Sequence, residues 1–258
     1  MKKKFYGTLF LCFLSFAAKA ATLKQSFDVK IGLFDAAKVD MSYSLSDSDY
    51  SFSSKIKTSG LFDTLYEFKA EYLTTGMIDG EKWRASDYHQ KTKTATHLRT
   101  KRLVFNRDGT LIQRQSAKDG AVKTVDVEIP DISIDAYDIQ TALIMMIKTF
   151  QQNDSCALDK TIFNGKKVYH ISLKDGGRVL FEDKKIKIKK EAHKCLAYIH
   201  QDGAEKGDLL WQVSAERPIV FYLMKDDQTG LPFVPKVEIS STPLGDLKAS
   251  MTTMEINK

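Results

Sequence analysis

Residues 135–152, DAYDIQTALIMMIKTFQQ, constrain this chain more than any other stretch, because they read as helix in a sequence that otherwise reads as strand. Ile139, Ala142, Leu143, Met146, Ile147 and Phe150 recur at three- and four-residue steps and so share one helical face. Ile144 and Met145 widen that face until most of the circumference is apolar, the pattern of a helix enclosed by other structure. Asp135 or Asp138 can cap its start by accepting bonds from the first backbone N–H groups. Burying about six such side chains is worth roughly 10 to 15 kcal/mol before entropy is counted.

On both sides of the helix the polarity alternates with period two, the mark of a strand with one wet face. Phe27, Val29 and Ile31 alternate with Asp28 and Lys30, and Tyr66, Phe68, Ala70 and Tyr72 alternate with Glu67, Lys69 and Glu71. Asp79-Gly80, Asp108-Gly109, Asp119-Gly120, Asn164-Gly165, Asp175-Gly176-Gly177 and the run Asp226 to Gly230 read as turns between such strands. Well over ten strands and one principal helix result, with no Gly/Ser/Pro-rich linker between them. The expected fold is mainly β: a large antiparallel curled sheet, either a half-open barrel or a β-spiral, wrapped around the helix 135–152. Curling hides the apolar face of so long a sheet and reduces its exposed edges.

Residues 1–20 read as a signal peptide. Lys2 to Lys4 give a positive start, Phe5 to Phe16 a short apolar run, and Ala18-Lys19-Ala20 a small-x-small cleavage site before Ala21. Cys12 follows a bulky Leu11, which argues against a lipoprotein. No later stretch is long and apolar enough to span a membrane as a helix. The expectation is a single β-rich domain, residues 21–258, in the periplasm. Without Lys2, Lys3, Lys4 and Lys19, the 39 basic residues fall to 35 against 33 acidic ones. That near balance argues against nucleic acid as a partner.

Two cysteines, Cys156 and Cys195, remain after the leader, and in an exported chain they are expected to form a disulfide. A metal site is the other reading, since His193 and His200 flank Cys195, but no second pair has zinc-finger spacing. His89, His97, His170, His193 and His200 are scattered and form no HExxH, and no GxSxG, P-loop or GxGxxG occurs. The chain is therefore expected to have no catalytic residues, no metal and no cofactor. Lys184 to Lys190, KKIKIKK, read as a strand with Ile186 and Ile188 on one side and Lys185, Lys187 and Lys189 as a basic stripe on the other. The stripe either shields a sheet edge or meets anionic headgroups.

With the helix, the cysteines and the last third in view, the chain resembles the family catalogued as domain of unknown function 3108. The resemblance is carried by Tyr137-Asp138-Ile139-Gln140-Thr141-Ala142, Cys156, Phe163-Asn164-Gly165, Cys195, Arg217-Pro218-Ile219, Asp226-Asp227 and Leu231-Pro232, in that order. Asn164 stands where the family's turn usually has aspartate. The resemblance implies a β-rich exported bacterial protein and transfers no active site.

The function expected from these readings is non-catalytic: a cell-envelope protein that binds a hydrophobic or amphipathic ligand, such as a lipid, or an envelope protein. Tyr66, Phe68, Tyr72, Trp83, Trp211, Phe221 and Tyr222 are the candidate lining. A periplasmic interaction scaffold is the alternative, and a hydrolase of envelope glycan or peptidoglycan is a third.

Overall fold

The computed structural model describes residues 21–257 except 107, 127–136, 164–167, 202–216 and 243. The leader, Asp135, the Asn164-Gly165 turn and Trp211 thus lie outside the described residues. Among the described residues, fourteen strands and two helices follow in chain order. The first part holds β1 (Ala21–Ile31), β2 (Phe34–Leu45), β3 (Asp49–Thr58), α1 (Leu61–Leu65), β4 (Phe68–Asp79), β5 (Lys82–Thr94), β6 (Leu98–Phe105), β7 (Leu111–Lys118) and β8 (Ala121–Asp126). The second holds α2 (Ile139–Asn153), β9 (Leu158–Phe163), β10 (Val168–Asp183), β11 (Ile188–Gln201), β12 (Ile219–Lys225), β13 (Pro232–Thr242) and β14 (Gly245–Asn257).

All fourteen strands join one antiparallel sheet in the order β8 through β1, then β14 back to β9. Each strand pairs with its chain neighbour, and β1 pairs with β14, so the first and last strands lie at the sheet's centre. The two edges, β8 and β9, are the strands that flank α2 in sequence. The sheet is curled but open, a barrel-like wall: among the described residues no ladder joins β8 to β9, and β9 meets the far side of the wall through a side chain. Phe163 of β9 packs with Tyr88, Leu103 and Leu111 from β5, β6 and β7. Tyr137 covers part of the β9 edge, donating to the Thr161 carbonyl at 3.0 Å and accepting from Phe163 N–H at 2.9 Å. Tyr137 thus spares β9 part of the exposed ladder that makes an edge aggregation-prone.

Helix α2 fills the hollow, as its nearly all-round apolarity requires. Ala142, Ile144, Met146, Ile147 and Phe150 are buried in the main core with Leu23, Tyr43, Tyr50, Phe52 and residues of β9 to β14, and Met145 is buried as well. The buried face is rotated from the expected one. Ile139 is exposed and Leu143 only partly covered, while polar Gln140 and Thr141 are buried. The reason is that the helix starts at Asp138, which anchors it to the wall and fixes its rotation. Asp138 caps it by accepting from Gln140 N–H at 3.0 Å and Thr141 N–H at 3.1 Å.

Three further local expectations change. Tyr66 is not part of β4; it ends α1, a short helix after Gly60 that no periodic signal announces. Asp175-Gly176-Gly177 is not a turn but a bulge inside β10, where the pairing with β11 shifts between Asp175 and Arg178. A Cβ on Gly176 would lie 2.9 Å from Leu196 Cγ, so only glycine lets the two strands stay this close. Residues 184–187 are the β10–β11 turn and not a strand. Asp183 folds the chain back by accepting from Lys185 N–H at 2.8 Å, with Lys187 in the left-handed region. Lys185 and Lys187 therefore do not alternate with buried isoleucines on a strand, and Lys189 pairs with Glu182 at 3.5 Å.

Candidate ligand-binding cleft

Directly opposed residues in an antiparallel ladder share a face, so the register gives the lining of the hollow row by row. One inner row runs Leu23, Tyr43, Phe52, Thr74, Tyr88, Leu103 and Arg114 from β1 to β7. The next continues from Tyr72 through Gln90, Lys101 and Ser116 to Lys123. The third continues from Ala70 through Thr92, Arg99 and Lys118 to Ala121. Apolar residues at the sheet's centre face α2. Beyond β5 the same face turns basic.

That basic portion is open. A hollow of about 530 Å³ is lined by Gln90, Thr92, Arg99, Lys101, Arg114, Ser116, Lys118 and Lys123, with no carboxylate among the described lining residues. It adjoins a second hollow of about 610 Å³, sharing Thr92 and Arg99, whose lip carries Leu65, Tyr66 and Phe68 together with Asp63 and Glu67, from α1 and the start of β4. Tyr66 and Phe68 stack there with ring centres 6.3 Å apart. Arg99, Arg114, Lys118 and Lys123 form no salt bridge with a described residue, and the Arg114 Nε is buried without a hydrogen-bond partner among them. Lys101 lies over the Tyr88 ring at 5.5 Å. Burial, and then the neighbouring Arg114 charge, lower its pKa to about 8, against an opposing pull from Asp138.

At the inner end of the cleft, Asp138 gathers a buried polar cluster. Thr74 donates to Asp138 Oδ1 at 3.0 Å, and the Tyr50 hydroxyl lies 3.0 Å from that of Thr141. Burial raises the Asp138 pKa, although hydrogen bonds from Thr141, Thr74 and Gln140 pull it down. Burial likewise raises the phenols of Tyr72 and Tyr88. A carboxylate so enclosed by donors is a structural joint between helix and wall.

Of the sequence-predicted lining residues, Tyr66 and Phe68 stand at the lip and Tyr72 borders the basic rows. Trp83 packs against Tyr50 at 5.0 Å, and Phe221 and Tyr222 lie partly buried against the main core. The Tyr222 hydroxyl is engaged by Glu238 at 2.7 Å. These three do not face the cleft. The basic residues of β6 to β8 escaped the sequence reading, although a signal was there: Arg99 and Lys101 alternate in step with buried Leu103.

The disulfide forms between Cys156 and Cys195, with Cα atoms 5.9 Å apart. The β10 bulge aims Asp175 at it. Asp175 accepts from Cys156 N–H at 2.9 Å, from the Ser155 hydroxyl at 2.7 Å and from His193 Nε2 at 2.8 Å. Burial would raise the Asp175 pKa, but these donors outweigh it and hold the pKa below the usual range. Cys156, Cys195 and His193 lie close enough to hold a metal, but both sulfurs are spent on each other.

The fold and cleft define a class: an open, barrel-like antiparallel sheet wound around one helix, with a basic concave surface. Within that class, the chain belongs to the family described as Protein of unknown function (DUF3108), whose sequence model matches residues 26–252. The solved structure of a beta-barrel-like protein of domain of unknown function DUF1849 from Brucella abortus has a similar fold. The TM-score is 0.51 at 9% identity, covering 92% of this chain and 98% of that one. Aeromonas veronii immune modulator A aligns over 90% of this chain and 93% of its own at 10% identity, but with a TM-score of 0.18 it carries no argument. No curated protein matches the sequence.

Proposed function

We propose that this is a non-catalytic, exported cell-envelope protein that holds an amphipathic molecule with an anionic head group in the cleft between β4 and β8. The observation that carries the reading is the gathering of Arg99, Arg114, Lys118 and Lys123 on the concave face, with no carboxylate among the described lining residues of their hollow. Lysines and arginines on a convex surface keep a protein soluble. The same residues gathered in a hollow repel one another, and an anion relieves that repulsion. The lip of Leu65, Tyr66 and Phe68 supplies the apolar contact for a tail. Binding is favoured over glycan hydrolysis because guanidinium and ammonium groups hold anions. Glycan hydrolysis needs two carboxyl groups roughly 5 to 9.5 Å apart across a substrate; the basic hollow has none among its described lining residues, and Asp63 and Glu67 line only the adjoining hollow at the lip, with Glu67 paired to Lys69. Export is supported by the leader pattern of residues 1–20 and by the Cys156–Cys195 bond, which an oxidising compartment maintains.

The test is native mass spectrometry and organic extraction of protein purified from its own envelope fraction. An anionic amphiphile should co-purify in stoichiometric amount and be lost from Arg99→Ser/Arg114→Ser. Protein that carries no such molecule, or a variant that carries it undiminished, would overturn the reading. Intact mass in the same experiment should begin at Ala21; a chain still beginning at Met1 refutes export by a cleaved leader.

A further inference from the structure

Three connections that are far apart in sequence end side by side at one end of the sheet, and each exposes apolar side chains there. The β1–β2 turn carries Leu33, which is 93% exposed, beside Phe34. The β13–β14 turn carries Leu244, 65% exposed. The two turns touch, since Gly32 N–H donates to the Asp246 carbonyl at 2.9 Å. The β3–β4 connection is α1, which has no buried residue although it carries Leu61 and Leu65, the latter 72% exposed, and ends at exposed Tyr66. Its start is pinned to the same place, because Ser59 N–H donates to the Ala36 carbonyl at 3.0 Å. Single exposed leucines are ordinary, as Leu180 is on the outer face opposite Glu191. Six large apolar residues on three adjoining tips are not scatter.

Just behind these tips, the outer face of the sheet holds a row of like charges. Lys38 stands opposite Lys57, Lys57 opposite Lys69, and Lys69 opposite Lys93, across four strands. Directly opposed like charges destabilise a sheet; Asp28 opposite Lys38 and Glu67 beside Lys69 and Lys93 offset only part of that cost. Lys69 alone of the four has a salt bridge among the described residues, to Glu67 at 2.8 Å. The following outer row, Asp40, Lys55, Glu71 and Lys91, alternates in sign as an ordinary solvated face does.

We propose that this end of the protein docks on an anionic lipid bilayer, with Leu33, Leu61, Leu65, Tyr66 and Leu244 dipping into the interface and the lysine row lying against the head groups. The argument for a bilayer over a protein partner is the form of the surface. The apolar groups sit on short connections at the rim of the sheet, and a fluid interface can close around each of them. The basic row beside them matches the charge of anionic head groups. The cleft's lip shares Leu65 and Tyr66 with the docking tip, whereas Leu33, Leu244 and the lysine row lie outside the lining of both hollows.

The test uses the mature chain and sedimentation with vesicles of phosphatidylcholine alone or with about one-third phosphatidylglycerol. The parent should bind the anionic vesicles, and lose roughly tenfold in partitioning on neutral vesicles or in high salt. Leu33→Asp/Leu65→Asp and, separately, Lys57→Glu/Lys93→Glu should each lower partitioning by roughly tenfold or more. Circular dichroism should show both variants folded, because the altered side chains are exposed. A polarity-sensitive fluorophore on Leu33→Cys should shift to the blue on anionic vesicles. Parent protein that ignores anionic vesicles, tip variants that bind like the parent, or a label that shifts only on self-association or with a protein partner would overturn the proposal.

Discussion

Thr74, on the inner face of β4, gives its hydroxyl to the carboxylate of Asp138, 3.0 Å away at the start of α2. One carboxylate thereby does two things. It caps a helix, and it fixes that helix to the wall at a set rotation, which is why Gln140 and Thr141 are buried while Ile139 is not. Replacing Asp138 by Ala removes acceptors from two buried N–H groups and two hydroxyls. It should cost about 2 to 4 kcal/mol, read from urea unfolding. Asp138→Asn keeps one acceptor oxygen and should cost distinctly less. Because burial raises this carboxyl's pKa, its contribution is full at acid pH and is lost as pH rises through the folded-state value. The gap in stability between parent and Asp138→Asn should therefore narrow or reverse towards neutral pH.

Gly76 sits opposite Tyr50 in the β3–β4 ladder, and the Tyr50 ring occupies the space that a Cβ at position 76 would need. Gly76→Ala must displace Tyr50, whose hydroxyl meets Thr141 at 3.0 Å and whose ring packs on Trp83. A loss of about 1 to 3 kcal/mol is expected, together with a change in the near-ultraviolet signal of Trp83. Unaltered stability would mean that the ring has another place to go.

Cys156 and Cys195 close a loop with a sequence separation of 39, tying the exit of α2 to β11. The chain-entropy relation makes this worth about 4 kcal/mol. Cys156→Ala/Cys195→Ala should lower Tm by several degrees and increase the sensitivity of the α2–β9 connection to proteolysis. Alkylation with and without reductant should give different masses for the parent. Equal masses would rule out the bond.

The architecture was legible because its signals are local and repeated. Period-two alternation, dipeptides such as Asp119-Gly120, where both residues adopt positive φ, and one all-round apolar helix leave few alternatives to a curled sheet around a rod. The failures have physical causes too. Asp183 ends β10 with a side-chain-supported turn built from lysines and isoleucine, which carries none of the glycine or proline punctuation that marks turns. Asp175-Gly176-Gly177 has that punctuation but serves a bulge, because Leu196 presses on Gly176 from the paired strand. The cleft was hidden for a different reason. Whether Arg99, Lys101 and Arg114 face solvent or a hollow depends on how far the sheet curls and on where α2 stops filling it, and neither is encoded within β6 or β7. Aromatic residues drew attention as lining, yet Trp83, Phe221 and Tyr222 serve the core.

Lys101 offers a titration that reports on the cleft. Burial and the Arg114 charge lower its pKa from 10.5 to about 8. Below about pH 8 both the folded and the unfolded chain hold the proton, and the cost of a buried charge is fully present. Between about 8 and 10.5 the folded protein has released a proton that the unfolded chain retains, so stability rises with pH, by at most about 1.4 kcal/mol per unit. Lys101→Met removes that titration, so the stability difference between the two proteins should shift in the parent's favour between about pH 8 and 10.5. Subtracting the two urea-unfolding curves cancels the raised tyrosine pKa values common to both proteins. An anion held beside Lys101 favours its protonated form, so saturating pyrophosphate should move the lysine's own titration upward when followed by NMR of the side chain. A stability difference that stays flat from pH 7 to 10, with a titration indifferent to pyrophosphate, would show that Lys101 neither feels burial nor faces an anion site.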